Sequence, residues 1–82
     1  MQLTRLSELK PGEEAIVVKV EGGGPLARRL ADMGLVVGAK VRVVRVAPLG
    51  DPMELEIRGY NLSLRREEAR LVLVEVISSG AR

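Results

Sequence analysis

The side chains best suited to chemistry in this chain of 82 residues are carboxylates and guanidinium groups, because it contains neither histidine nor cysteine. Histidine is the commonest general base and a leading zinc ligand, and cysteine supplies the thiol nucleophile and the iron–sulfur ligand. Ser-His triads, cysteine proteases, zinc fingers and iron–sulfur clusters are therefore excluded. Oxygen-ligand metal binding remains: Glu54 and Glu56 share one face of an alternating segment, and Glu67 and Glu68 are neighbours in the chain. Arg58, Arg65 and Arg66 stand close to those pairs, and solvated carboxylate–arginine pairs are the commoner result of such spacing. No metal-ligating residue and no catalytic residue is assigned. No resident cofactor is expected, and weak divalent-metal binding through oxygen is the most these groups would support.

Two further features invite a phosphate reading. Gly22-Gly23-Gly24 precedes a helix-starting Pro25, and backbone N–H groups at a helix N-terminus bind anions. Here there is no Gly-Lys-Ser/Thr and no βαβ alternation, so the glycines read as a strand-to-helix connection. Arg28-Arg29 and Arg65-Arg66 can contact phosphates, yet Tyr60 is the single aromatic residue and the net charge is only +2. Nucleic-acid readers of single strands stack bases on aromatic platforms, and proline-rich ligands need an aromatic-lined groove. No nucleic acid is expected as a partner.

The elements that must hold these groups are mostly strands. Twelve valines and three isoleucines, punctuated by Gly and Pro, describe strands more than helices. Leu3, Leu6 and Leu9 recur at threes before Lys10-Pro11-Gly12, which predicts a lead-in laid over one barrel end. From Glu14 to Glu21, Ile16, Val18 and Val20 alternate with Val17, Lys19 and Glu21 in the period of a half-buried strand. A helix is predicted over Pro25 to Met33, with Leu26, Leu30 and Met33 on one face and Gly34 as the left-handed cap on which Leu35 folds back. After a turn at Val37-Gly38-Ala39, a strand runs from Lys40 to Val46, its alternation slipping at Val43 and Val44, where a bulge restores it.

Ala47-Pro48-Leu49-Gly50-Asp51-Pro52 holds two prolines within five residues and reads as an ordered loop with Leu49 at its tip. Met53, Leu55 and Ile57 then alternate with Glu54, Glu56 and Arg58. A two-residue turn at Gly59-Tyr60 would pair Ile57 with Leu62 and Leu55 with Leu64. Arg65 to Ala69 is one polar helical turn, Leu71 to Val76 a last strand, and Ser78 to Arg82 a tail expected to fray.

The resulting fold class is mainly β: a small SH3-like barrel of about five strands with one inserted α-helix and a short helical turn before the last strand, an OB-like barrel being the alternative. Residues 1–77 form a single domain and 78–82 the tail. A chain this short buries only about 60% of the surface of its unfolded form, which leaves little depth for an enclosed reaction chamber, and an enzymatic role is not expected. The longest apolar runs are a few residues, so neither membrane insertion nor secretion is expected and the cytoplasm is the predicted location. A sheet of this size with self-complementary edges can also pair with a second copy through a strand.

Val36, Val37, Leu49 and Met53 lie in or beside connections where a small core covers apolar groups poorly. With Leu26 and Leu30 on the helix they would form a docking patch, the alternative being that they cap the barrel ends.

On Leu9-Lys10-Pro11-Gly12 with its following valine strand, Arg29-Leu30-Ala31-Asp32-Met33-Gly34-Leu35-Val36-Val37-Gly38, the Ala47 to Pro52 loop and Arg58-Gly59-Tyr60-Asn61-Leu62-Ser63-Leu64-Arg65, the chain resembles the FeoA family. These four motifs occur in the family's order and span nearly the whole chain. The resemblance implies an SH3-like barrel and an accessory role beside FeoB, the ferrous iron transporter with a cytoplasmic GTPase region, which is the expected partner. It also implies transition-metal binding as a family trait, and kinship with the C-terminal domain of iron-dependent repressors. Joined to the apolar connections, it predicts a partner-binding surface made of Leu26, Leu30, Leu35, Val36, Val37, Pro48, Leu49 and Pro52.

Overall fold

A computed structural model describes residues 2–78. Six antiparallel strands form one sheet in the order β1-β6-β2-β3-β4-β5: β1 is Leu3–Arg5, β2 Glu14–Val20, β3 Lys40–Val46, β4 Met53–Ile57, β5 Tyr60–Leu64 and β6 Val72–Ser78. Helix α1 spans Gly24–Asp32 between β2 and β3, and the short α2 spans Arg66–Ala69 before β6. The mainly β architecture with an inserted helix is the one the sequence predicts, with a sixth strand added. That strand is the lead-in: Leu3–Arg5 pairs with β6 as Leu3↔Glu75 and Arg5↔Leu73, and a 3₁₀ turn at Leu6–Glu8 carries the chain over the end of the sheet. Leu6 and Leu9 are buried there, whereas Leu3 faces outward at 51% exposure. β6 ends at Ser78, the first residue of the expected tail; residues 79–82 lie outside the described residues.

The core is lined by alternate residues of the strands: Val41 and Val43 from β3, Met53, Leu55 and Ile57 from β4, Leu64 from β5, Val72 and Val74 from β6. Each such side chain contributes about 1.5–3 kcal/mol on burial. The expected bulge in β3 is present, with the register shifting between Val43 and Arg45 opposite β4. Two further shifts interrupt β2 opposite β6, between Glu14 and Ala15 and between Val17 and Lys19, and the alternation announces neither. Ala15 and Val17 face the core before the Val17–Lys19 shift, Val18 is left outside, and the phase then switches so that Val20 packs against the core, so of the alternating set Ile16, Val18, Val20 only the last keeps its place.

The β4–β5 hairpin keeps its predicted faces but not its predicted register. Leu55 pairs with Leu62, Met53 with Leu64 and Ile57 with Tyr60. The two-residue turn is Arg58-Gly59, not Gly59-Tyr60, and both residues have positive φ, 52° and 85°, the mark of a type I′ turn whose twist matches that of the strands.

α1 starts one residue before its predicted Pro25 and ends with Met33 as its C-cap. Gly34, at φ 101°, turns the chain so that the Leu35 N–H donates to the Leu30 carbonyl at 3.0 Å, the fold-back the sequence predicts.

Candidate functional site

The predicted docking residues separate by burial. Leu30 and Leu35 are fully buried and Met53 is 1% exposed at the start of β4, and this corrects their place in a docking surface. The amphipathic face of α1 drives Leu30 into the sheet, and the turn at Gly34 lays Leu35 beside it, so no partner touches either side chain while the domain is folded. Leu26 is half-buried against the same core. Val36 and Val37 are 40% and 70% exposed and Leu49 is 94% exposed, with Pro48 and Pro52 also outside.

These exposed residues do not make one patch. Val37 stands just before β3 and Leu49 just after it, and the six steps of that strand set its ends about 20 Å apart.

At the first end, the Val36–Val37 turn is fastened to β2. The Gly38 N–H donates to the Val17 carbonyl and the Val17 N–H to the Ala39 carbonyl, both at 2.8 Å, which brings the turn beside the exposed Val18. Next to the turn a groove of about 390 Å³ opens on the outer face of the sheet. Its walls include Gly38, Lys40 and Arg42 on one side and Glu14, Glu56 and Arg58 around them. The sequence singles out Glu56 and Arg58 but not Lys40 and Arg42, although these alternate on β3 as Glu54 and Glu56 do on β4. What it lacked was the pairing that sets Arg42 opposite Glu56.

At the other end, Leu49 rides an ordered loop. The Ala47 N–H donates to the Pro52 carbonyl at 3.0 Å and the Gly50 N–H to the Ala47 carbonyl at 2.7 Å, while the Asp51 carboxylate accepts the Arg66 N–H at 3.1 Å.

Three of the four carboxylates considered for metal binding, Glu54, Glu56 and Glu68, have cationic partners. Glu54 forms an ion pair with the Arg45 Nε at 3.2 Å, Glu56 accepts from the Arg42 Nε at 3.1 Å, and Glu68, only 6% exposed, accepts from Arg29 at 3.1 Å and from the Arg65 N–H at 2.8 Å. Among the described residues no three carboxylates gather in a way that would hold a metal ion. Among the described residues no helix is long and apolar enough to cross a membrane.

Against this geometry, residues 4–76 match the FeoA domain model. The chain is 51% identical over 77 residues to a Porphyromonas gingivalis protein in which Fe(2+) transport protein A is fused to the Fe(2+) transporter FeoB. The match takes in 94% of this chain and spans only 9% of that protein. A Methanocaldococcus jannaschii protein named as Fe(2+) transport protein A is 34% identical over 75 residues, covering 92% of this chain and 89% of its own length. Among solved structures, Stenotrophomonas maltophilia FeoA complexed with zinc, described as a procaryotic SH3 domain protein, superposes with a TM-score of 0.77 at 34% identity, covering 88% of this chain and 89% of that one. A manganese-dependent transcriptional repressor shares the fold alone, at a TM-score of 0.84 and 17% identity over 94% of this chain and 42% of its own. With the model match running almost end to end and a near-full-length archaeal relative, the chain belongs to the FeoA domain family of Fe(2+) transport and carries its SH3-like fold.

Proposed function

We propose that this domain works in the cytoplasm as an accessory, non-catalytic protein of ferrous iron uptake, docking on the cytoplasmic part of a FeoB-type transporter with its GTPase region. The observation that carries this reading is the Porphyromonas gingivalis fusion, where the segment matching this chain is covalently joined to FeoB. A shared polypeptide holds two modules at high effective concentration, the arrangement that favours a contact between them.

The exposed apolar side chains supply contact surface for such docking: Val36 and Val37 beyond one end of β3, and Leu49 with Pro48 and Pro52 beyond the other, with the half-buried Leu26 on α1. Docking of this kind acts on a transporter only by binding its conformations unequally, so the protein would shift populations without doing chemistry itself.

The test is a calorimetric titration of the domain into the purified cytoplasmic part of the cognate transporter, in its nucleotide-free, GDP and GTP-analogue forms. Saturable binding that differs between those forms is the expected result, weakened by Val37→Asp or Leu49→Asp. Absence of binding in all three forms overturns the reading.

A further inference from the structure

Resting on that reading, we infer that the groove beside the Val36–Val37 turn is the seat of a partner protein segment that sets an acidic side chain next to an aliphatic one. The groove holds three cations, Lys40, Arg42 and Arg58, against two carboxylates, Glu14 and Glu56, a net charge of +1. Four of the five are engaged with each other: Arg42 with Glu56, and Lys40 with Glu14 at a looser 3.6 Å. Arg58 has no carboxylate partner among the described residues. It is therefore the guanidinium free to take a carboxylate from outside, in the two-pronged geometry that suits an arginine.

The backbone at Arg58 supports a role for its side chain. Its φ of 52° is the left-handed conformation, in a turn position where Gly, Asn or Asp sits at lower cost. Folding alone would be better served by one of those, yet an arginine stands at the hairpin tip on the wall of the groove. An apolar side chain follows next along the backbone, since Gly38 lines the groove and its chain neighbour Val37 is 70% exposed. A purely aliphatic occupant would strip water from Arg58 and Lys40 without replacing it, and a bare anion would leave Val37 in water. A segment carrying both groups satisfies both.

The test is a titration of the transporter's cytoplasmic part with the wild-type domain and with Arg58→Glu, Lys40→Glu and Arg58→Gly variants, with Arg70→Glu as a control for net charge outside the groove. Arg58→Glu is expected to weaken binding about tenfold, and raising salt from about 50 to about 300 mM should weaken the wild type more than this variant. Arg58→Gly separates the roles: it relieves the backbone strain and should raise the melting temperature while still weakening binding. Arg70→Glu should bind as the wild type does. If the wild type binds and the Arg58 and Lys40 variants bind equally well, the groove is not the seat and docking occurs elsewhere, leaving the functional reading intact. An equal loss in Arg70→Glu would reduce the effect to net charge and overturn the inference. Failure of the wild type to bind removes both.

Discussion

The Tyr60 hydroxyl donates a 2.7 Å hydrogen bond to the Met33 carbonyl, tying the first residue of β5 to the C-cap of α1 across 27 positions of sequence. The same hydroxyl lies over Gly34: a Cβ added there would come within 2.6 Å of it, in a backbone at φ 101°. One contact thus sets the hairpin against the helix and admits only glycine beneath it.

Gly34→Ala is accordingly expected to destabilise the domain by about 2 kcal/mol, and Tyr60→Phe by about 1 kcal/mol through the lost hydrogen bond. Removing the hydroxyl also removes the clash, so the double variant should be less destabilised than the two single changes added together. Urea unfolding of all four proteins reads this out; strict additivity would show that the two residues act independently.

Leu30 and Leu49 are the same residue type at opposite extremes of exposure, 0% and 94%. Leu30→Ala should cost about 2–5 kcal/mol by opening a cavity, whereas Leu49→Ala should stay within about 0.5 kcal/mol of wild type. Thermal and urea melts decide between this and an equal effect at both positions. The contrast makes Leu49 and Val37, not Leu30, the positions at which binding can be probed without unfolding the domain.

Glu68 accepts the Arg65 N–H at the start of α2 and reaches Arg29 on α1, although it is nearly buried. Glu68→Ala leaves that N–H without its acceptor and Arg29 without its partner, and should lower stability by about 1–2 kcal/mol. Arg29→Ala, whose side chain is 65% exposed, should cost less than Glu68→Ala. The reverse order in chemical denaturation would show that the ion pair, not the cap, carries the effect.

Addition of Mn²⁺, Fe²⁺ or Zn²⁺, the last because a relative was solved with zinc, is expected to leave the melting temperature within error and to give no saturable heat. The reason is local: Glu54, Glu56 and Glu68 each have an arginine in contact, and a metal would have to displace it. A stabilisation that saturates with metal and vanishes in Glu54→Gln or Glu56→Gln would place a metal site on β4 after all.

The order of elements and much of their phase were legible because they arise from local chemistry. The alternation of Met53, Leu55 and Ile57, the slip at Val43-Val44 and the glycine after Met33 each act through neighbours a few residues away. The absence of imidazole and thiol is likewise a property of composition, and it narrows the chemistry whatever the fold. The hairpin register was not legible, because a slip of two residues preserves which side chains face the core: Leu55 meets a leucine whether its partner is Leu62 or Leu64. The φ requirements at Arg58-Gly59 and the reach of Tyr60 to Met33 accompany the observed register. The Leu3–Arg5 strand depends on β6, some 70 residues distant, and the bulge that expels Val18 is seen only against that same strand.

The surface followed the same rule. Leu30, Leu35, Val37 and Leu49 are all aliphatic and all stand in the helix or the connections, so residue type predicted one patch; long-range packing buried two of them and the length of β3 parted the others. The groove of Lys40, Arg42, Glu56 and Arg58 exists because antiparallel pairing brings charges from separate strands together. Hydrophobic periodicity and turn chemistry are short-range and are written in order along the chain, whereas burial, register and the meeting of charges depend on which distant segments become neighbours, and that was settled only when the sheet closed on its helix.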